Sequence, residues 1–170
     1  VVSSPGKGSR FWFRLPLMIH NESDQAASSD LNTSSQKTSS LQGKNILIVD
    51  DNEINRAVAA SMLEQHDAKT FQVDNGKKAV ELNQNFTFDL ILMDYQMPIM
   101  DGIQASKSLR ANGLSIPIIA MTAAGFDEDI DAYFEAGMDG VVIKPFQSEQ
   151  LIQEVLKALA TNERNRQKEK

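Results

Sequence analysis

The sequence predicts an α/β domain built on a parallel β-sheet with helices on both faces. Two observations support this prediction. Short apolar runs recur through residues 44–160 with the lengths of buried strands. The segments between them show the apolar periodicity of amphipathic helices. A strand followed by a helix, repeated five times, is the pattern of a parallel sheet whose connections are right-handed.

Five runs are predicted as strands. Four are apolar almost throughout, as strands covered on both faces are, whereas KTFQV alternates apolar and polar residues as a half-exposed edge strand does. The runs are NILIV (45–49), KTFQV (69–73), FDLILM (88–93), IPIIAM (116–121) and VVI (141–143).

Helices are predicted in the intervals between these runs. Apolar residues recur every four positions over residues 54–62 and again over residues 151–159. Asp101 and Ser148 are predicted as N-caps, because short polar side chains accept hydrogen bonds from the first free N–H groups of a helix. The helix predicted for about 77–85 has the fewest apolar positions.

Composition divides the chain into four parts. Residues 1–19 contain a Gly-containing turn and an aromatic, alternating run, which indicates a short hairpin that needs a neighbouring domain for stability. Residues 20–43 are rich in Ser and Thr and predict a flexible linker. Residues 44–160 form the α/β domain, and residues 161–170 are a polar tail, either a solvated helix end or disordered.

Composition also disfavours several classes of function. The net charge of −6 argues against binding nucleic acid or an anionic membrane through bulk charge. The absence of cysteine rules out disulfides and thiolate metal sites, and two histidines are too few for a multi-histidine zinc site. No apolar run approaches the roughly 18 residues that span a bilayer, and no secretory signal is visible. We expect a cytoplasmic chain that contacts neither nucleic acid nor membrane directly.

Chemically active side chains follow four of the five predicted strands. Asp50 and Asp51 follow the first strand, Asp94 the third, Thr122 the fourth and Lys144 the fifth. The carboxyl ends of parallel strands lie along one edge of a sheet, where such folds bind their ligands. We therefore expect these five side chains to converge.

Three clustered carboxylates need a counter-charge. An isolated pair of adjacent acids is most often a solvated loop, but a convergent set with room for water suits Mg²⁺. Lys144 adds a fixed positive charge. Such a site could accept a phosphoryl group on Asp94, the single central carboxylate, and form a short-lived acyl phosphate.

The residues that carry this chemistry resemble the receiver domain of two-component response regulators. The resemblance covers about 44–160 and rests on four fragments in order: LIVDDNEINR (47–56), LILMDYQMPIMDG (90–102), IIAMTAAG (118–125) and GMDGVVIKPF (137–146). It implies a flavodoxin-like (βα)5 fold with strand order 2-1-3-4-5.

The resemblance also implies roles for individual residues. Asp94 would be the phosphoacceptor. Asp51 would bind Mg²⁺ directly and Asp50 through water, with Asp94 and the backbone carbonyl of Gln96 as further ligands.

Further implications concern the ends of the fourth and fifth strands. Thr122 and Lys144 would contact the phosphoryl group, and the Lys144–Pro145 peptide bond would be cis. The family usually has Tyr or Phe three residues before the lysine, as a switch coupled to the threonine. Here that position is Val141, which leaves the route of signal propagation open.

The N-terminal fragment SSPGKGSRFWFRLPL (3–17) resembles the closing hairpin of the ATP-binding domain of sensor histidine kinases. This order of parts implies a hybrid histidine kinase, with a phosphohistidine on its own kinase core or on a phosphotransfer protein as phosphoryl donor. ATP-binding motifs are absent, so we expect no kinase activity from this chain alone. We expect it to be a monomer, and the parent protein could be membrane-anchored.

Two other hypotheses remain open at this stage. A metal-dependent phosphatase with an Asp nucleophile would favour an Asp-x-Asp arrangement on the first strand, whereas here the acids are adjacent. A binding module that is never phosphorylated would keep the fold without the chemistry. The complete five-residue set argues against the latter, although Val141 gives it some room.

Overall fold

The computed structural model describes residues 2–4, 8–10, 41–123 and 130–168. The chain separates into two units, residues 1–36 and residues 37–170. In the first unit, strand β1 (Val2–Ser4) pairs antiparallel with strand β2 (Gly8–Arg10), which gives the hairpin predicted near the N-terminus. The aromatic run that follows and most of the predicted linker lie outside the described residues.

The second unit contains a five-stranded parallel sheet. Its strand order is β4-β3-β5-β6-β7, which confirms the predicted order 2-1-3-4-5. The strands are β3 (Asn45–Val49), β4 (Lys69–Val73), β5 (Leu90–Asp94), β6 (Ile118–Ala123) and β7 (Gly140–Lys144).

Within the described residues, five helices connect or follow these strands. They are α1 (Glu53–Glu64), α2 (Gly76–Asn83), α3 (Gly102–Ala111), α4 (Ile130–Glu135) and α5 (Ser148–Lys168). Helix α5 therefore continues through most of the predicted polar tail. Among the described helices, none combines the length and apolarity needed to cross a membrane.

One of the two predicted N-caps is correct and the other is displaced. The Asp101 carboxylate accepts a hydrogen bond from the Gln104 N–H at 2.7 Å, as a cap should. Ser148 is itself the first residue of α5, and the Leu151 N–H already donates to the Gln147 carbonyl. The cap position is therefore Gln147, one residue earlier than predicted.

The helix predicted for about 77–85 is present but shifted toward the N-terminus. Its N-cap is Asn75, whose side-chain oxygen accepts a hydrogen bond from the Lys78 N–H at 3.0 Å. This cap fixes the start of α2 at Gly76, because a capped N–H needs no intrahelical partner.

The sheet is covered on both faces, and β3 shows why. Its side chains alternate, so Ile46 and Ile48 join the core cluster formed with α1 and α5, whereas Leu47 and Val49 join the cluster formed with α2, α3 and α4. All four are fully buried, and burying each contributes about 1.5–3 kcal/mol relative to exposure. A central strand that must be apolar on both faces therefore reads as an unbroken apolar run.

The N-terminal boundary of this unit differs from the composition-based one. Leu41 is fully buried in the cluster with α1 and α5, and its N–H donates to the His66 carbonyl at 2.7 Å. The predicted linker of residues 20–43 therefore ends before Leu41.

Helix α5 runs from the carboxyl edge of the sheet to the opposite edge. Near its far end, Glu163 lies 3.0 Å from the Lys44 ammonium, next to the first residue of β3. Both groups are partly or fully exposed, so this ion pair stabilises the fold by at most about 1 kcal/mol. The ion pair nevertheless shows that the end of α5 lies beside the start of β3.

Gly102 provides a test of how tightly α3 packs against the end of β5. A Cβ atom at Gly102 would lie 2.3 Å from the Asp94 backbone oxygen, too close for any side chain. We expect Gly102→Ala to lower the free energy of unfolding by about 2 kcal/mol, because overpacking forces the backbone to shift.

The measurement is urea unfolding of the full chain, with Gly140→Ala as the matched control. A Cβ at Gly140 has its nearest neighbour at an ordinary 3.7 Å, so we expect that variant to stay within about 0.5 kcal/mol of wild type. Equal stabilities for the two variants would contradict the close approach.

Candidate functional site

The parallel sheet brings the predicted side chains to its carboxyl edge. Asp50 and Asp51 follow β3, Asp94 is the last residue of β5, Thr122 lies near the end of β6, and Lys144 ends β7. Asp94, Thr122 and Lys144 line one shallow pocket. The predicted side chains therefore lie together, although Asp50 and Lys144 are 94 positions apart in the sequence.

Three carboxylates and one ammonium form the centre of the site. Asp50, Asp51 and Asp94 each offer a carboxylate oxygen within 4.8 Å of the others. The Lys144 Nζ lies 2.6 Å from Asp50 Oδ2 and 2.8 Å from Asp94 Oδ1. Three carboxylates and one ammonium give the cluster an excess of negative charge. Its all-oxygen donor set fits a small divalent cation such as Mg²⁺.

The most buried of these acids is Asp50, which is 0% exposed. Its Oδ1 accepts a hydrogen bond from the Asn52 N–H at 2.8 Å, and the Asn55 side-chain amide lies 3.3 Å from both carboxylate oxygens. The Arg56 guanidinium donates to the Asp50 backbone oxygen at 2.7 Å. The start of α1 therefore supplies the donors that make a buried carboxylate tolerable.

Sequence reasoning did not single out Asn55 or Arg56. Both stand in the first turn of a predicted helix directly after two acids, and that position could have drawn attention to them. Asn52 is also the N-cap of α1, since its side chain accepts a hydrogen bond from the Ile54 N–H at 2.9 Å. The turn after β3 is thus organised around Asp50.

The surroundings of Asp94 shift its pKa in opposite directions. Burial raises the pKa of its carboxyl group, and the negative charges of Asp50 and Asp51 act in the same direction. The hydrogen bond and positive charge of Lys144 lower that pKa and offset part of the rise. An added cation near the cluster would favour the ionised form further.

The Thr122 hydroxyl has an unexpected neighbour. Its Oγ1 lies 3.1 Å from the hydroxyl oxygen of Tyr133, a residue of α4 that is 0% exposed. The Tyr133 ring packs edge-on against Tyr95, with ring centroids 5.2 Å apart. Sequence reasoning missed Tyr133, because no local pattern indicates which tyrosine reaches a strand end.

Three further sequence expectations have a place in the structure. The Lys144–Pro145 peptide bond is cis, as the resemblance implied. Gln96 lines the same pocket as Asp94, and the role of its carbonyl as a metal ligand stays a prediction. Val141 is half-buried and packs against the core cluster that contains Tyr133.

The order of this parallel sheet, with an acidic cluster and a lysine at its carboxyl edge, defines a class of signalling domain. It is the class that two-component systems use to receive phosphoryl groups. A family model described as the response regulator receiver domain matches residues 46–156, and the chain belongs to this family.

Similar proteins include histidine kinases and a short response regulator. The chain is 42% identical over 142 residues to Probable histidine kinase 4 of Oryza sativa subsp. japonica, a match covering 70% of this chain and 14% of that protein. It is 36% identical over 167 residues to Hybrid signal transduction histidine kinase K of Dictyostelium discoideum, covering 93% and 14%. It is 38% identical over 110 residues to Two-component response regulator ORR41 of Oryza sativa subsp. japonica, covering 62% and 87%.

Thus the chain spans only 14% of the length of each of these two histidine kinases. Among solved structures, it resembles the receiver domain of sensor histidine kinase PA1611 from Pseudomonas aeruginosa PAO1, with a TM-score of 0.63 and 36% identity. That match covers 69% of this chain and 98% of the other, whose structure has a magnesium ion coordinated in the active site cleft.

The raised pKa of Asp94 predicts a pH-dependent stability. A native carboxyl group with a raised pKa binds more protons than it does in the unfolded chain. Its contribution to the free energy of unfolding is therefore lost as pH rises from the unfolded pKa of about 3.9 through the folded pKa. Without metal, we expect Asp94→Asn to be more stable than wild type at pH 7, and we expect the difference to shrink toward pH 4.

The measurement is urea unfolding at several pH values in a chelating buffer, then with Mg²⁺. Mg²⁺ should stabilise wild type more than Asp94→Asn, because binding to the folded state raises its stability by mass action. The exposed Glu135 allows a control, Glu135→Gln, which should follow wild type throughout. A gain from Asp94→Asn that is constant with pH would refute the electrostatic origin.

Proposed function

We propose that this chain accepts a phosphoryl group from a phosphohistidine onto Asp94. Mg²⁺ would be held by Asp50, Asp51, Asp94 and the Gln96 backbone carbonyl. The observation that carries the proposal is the position of Lys144, whose ammonium lies within 2.8 Å of both Asp50 and Asp94 inside an acidic cluster. A lysine there supports neutralisation of an anionic group arriving at Asp94.

The reaction needs each group in a defined role. An oxygen of the ionised Asp94 carboxylate attacks phosphorus, the P–N bond of the donor breaks, and its electron pair returns to the imidazole, which takes up a proton. Lys144 and the Thr122 hydroxyl are the donors available to the phosphoryl oxygens. Mg²⁺, when bound, supplies further neutralisation of their charge. Water then attacks phosphorus and restores Asp94 with release of inorganic phosphate.

A phosphatase that uses an Asp on the first strand fits the structure less well. The candidate nucleophile would be Asp50, which is fully buried and already bonded by Lys144, Asn52 and Asn55. Asp94 has fewer bonded neighbours and opens onto the pocket. The geometry therefore favours Asp94 as the attacking group.

A macromolecular donor also needs a surface next to Asp94. Helix α1 carries two exposed apolar residues on that side, Ile54 at 72% and Val58 at 43% exposure. Val58 lines a groove with Pro145 and Phe146, which follow Lys144. We infer that this surface of Ile54, Val58, Pro145 and Phe146, the α1 patch, contacts the phosphohistidine protein, because Lys144 lines both its groove and the Asp94 pocket.

The wider context is proposed from the relatives and from the N-terminal fragment. Residues 1–19 would be the end of a kinase ATP-binding domain, the segment from residue 20 to residue 40 a linker, and the part from Leu41 through helix α5 the receiver domain. The donor would be the kinase core of the parent protein or a separate phosphotransfer protein, in the cytoplasm. This chain would act as a monomer, without binding nucleic acid or membrane.

Phosphorylation by a small acyl phosphate tests the chemistry directly. We expect acetyl phosphate to add one phosphoryl group to the wild-type chain only when Mg²⁺ is present, and none to Asp94→Asn. Intact-mass spectrometry measures the addition of one phosphoryl group. Modification that persists in Asp94→Asn would place the acceptor elsewhere, and continuous turnover of a generic phosphate ester would favour the phosphatase hypothesis.

Substitution in the α1 patch separates docking from chemistry. We expect Ile54→Ser to slow transfer from a radiolabelled histidine phosphotransfer protein about 10-fold, a loss of about 1.4 kcal/mol that is typical of an important interface residue. Modification by acetyl phosphate should be unchanged, because Ile54 holds no reacting atom.

The matched control is Phe86→Ser, an apolar residue that is 51% exposed and follows α2, away from the acidic cluster. Transfer to that variant should match wild type. Equal effects of the two substitutions would show that the α1 patch has no special role.

A further inference from the structure

One buried hydrogen bond connects the phosphoacceptor pocket with helix α4. Thr122 is 6% exposed and lines the pocket with Asp94, and its Oγ1 lies 3.1 Å from the Tyr133 hydroxyl. Tyr133 is fully buried. A buried phenol hydroxyl needs a hydrogen-bond partner, and Thr122 is the partner that the described residues provide.

The direction of this hydrogen bond follows from proton counting. A threonine hydroxyl has one proton and two acceptor sites, and a tyrosine hydroxyl also has one proton. If the Thr122 proton is donated to an oxygen of a phosphoryl group on Asp94, Thr122 has none left for Tyr133. Tyr133 must then be the donor and Thr122 the acceptor.

The Tyr133 ring has little freedom to turn away. It packs edge-on against Tyr95, the residue directly after Asp94, at 5.2 Å between ring centroids. Val141 packs against the same cluster and pairs with Ala120 across β6 and β7. The aromatic residue that contacts Thr122 therefore comes from α4 rather than from the position of Val141 on β7.

We propose that Tyr133 is a positioning residue, which donates to Thr122 Oγ1 and so directs the Thr122 proton toward the phosphoryl group. This inference rests on the proposed function of Asp94.

A double-mutant cycle tests the proposal on the full chain. The probe is beryllofluoride with Mg²⁺, a mimic of the phosphoryl group, and the measured quantity is its dissociation constant. We expect Tyr133→Phe, which keeps the ring, to weaken binding about 2- to 10-fold, the effect of one hydrogen bond. In a Thr122→Val background the same substitution should have no effect, because the hydrogen bond is already absent.

Val141→Ala is the control for loosened packing. It removes apolar contacts from the same cluster but no hydroxyl, so binding should stay within 2-fold of wild type. If Val141→Ala weakens binding as much as Tyr133→Phe does, the role of Tyr133 is packing and the proposal is wrong.

A spectroscopic measurement reports on the hydroxyl itself. The chain has only two tyrosines, Tyr95 and Tyr133, so ring-labelled tyrosine gives two sets of NMR signals, which Tyr133→Phe assigns. We expect the Tyr133 signals to shift when beryllofluoride and Mg²⁺ are added to wild type, and we expect Thr122→Val to abolish that shift.

The outcomes distinguish the two proposals. If wild type does not bind beryllofluoride with Mg²⁺, the proposed function of Asp94 fails and this inference fails with it. If wild type binds but Tyr133→Phe binds equally well, with the Tyr133 signals unmoved, only the positioning role of Tyr133 is overturned.

Discussion

The ion pairs of Lys144 with Asp50 and Asp94 are the interaction on which the site depends. Both carboxylates lie in surroundings where an unpaired charge costs several kcal/mol, and a single ammonium serves both. Lys144 ends β7, and strands of a sheet are about 4.8 Å apart. The side chains of Lys144, Asp94 and Asp50 together cover the distance from β7 to β5 and β3, because the ammonium contacts both carboxylates. The strand order is therefore a condition of the chemistry as well as of the fold.

At this edge of the sheet, the negative charges of the protein's own side chains outnumber the positive ones. Asp51 adds a third negative charge at an exposed position, beyond what Lys144 offsets. In a core built for stability such an excess would be a defect, because like charges in partly desolvated surroundings oppose folding. Here the excess of negative charge supports the cation site proposed above. The turn after β3 keeps Asp50 in place by supplying donors from Asn52 and Asn55.

Much of the fold could be predicted from the sequence, and the errors have physical causes. The bounds of β3 and β4 agree with their apolar runs. The start of β5 does not, since Phe88 is buried against the core outside the strand, while the Asp89 carboxylate accepts a hydrogen bond from the Asn45 N–H. In the next strand, Pro117 has no N–H to donate to a sheet, so β6 begins at Ile118. Apolarity reports burial, whereas strand bounds depend on backbone pairing.

The candidate site also has one part that could be predicted from the sequence and one part that could not. Residues at strand ends could be placed together because parallel strands share one edge, which depends on topology alone. The contact between Thr122 and Tyr133 depends on how α4 is rotated against the sheet, and six residues with one buried tyrosine carry no clear periodicity. The expected aromatic on the last strand was absent at Val141, but the sequence did not reveal that another element supplies one.

The ion pair between Lys44 and Glu163 has a consequence for how the domain can be joined to other proteins. It lies where β3 begins, at the edge of the sheet opposite the acidic cluster, and it places the late part of α5 beside the point where the chain enters the sheet. Both ends of the folded unit therefore emerge at the pole remote from Asp94. A fluorescent reporter or an affinity tag joined directly to this folded unit, near residue 41 or residue 168, would therefore lie at the pole away from the acidic cluster.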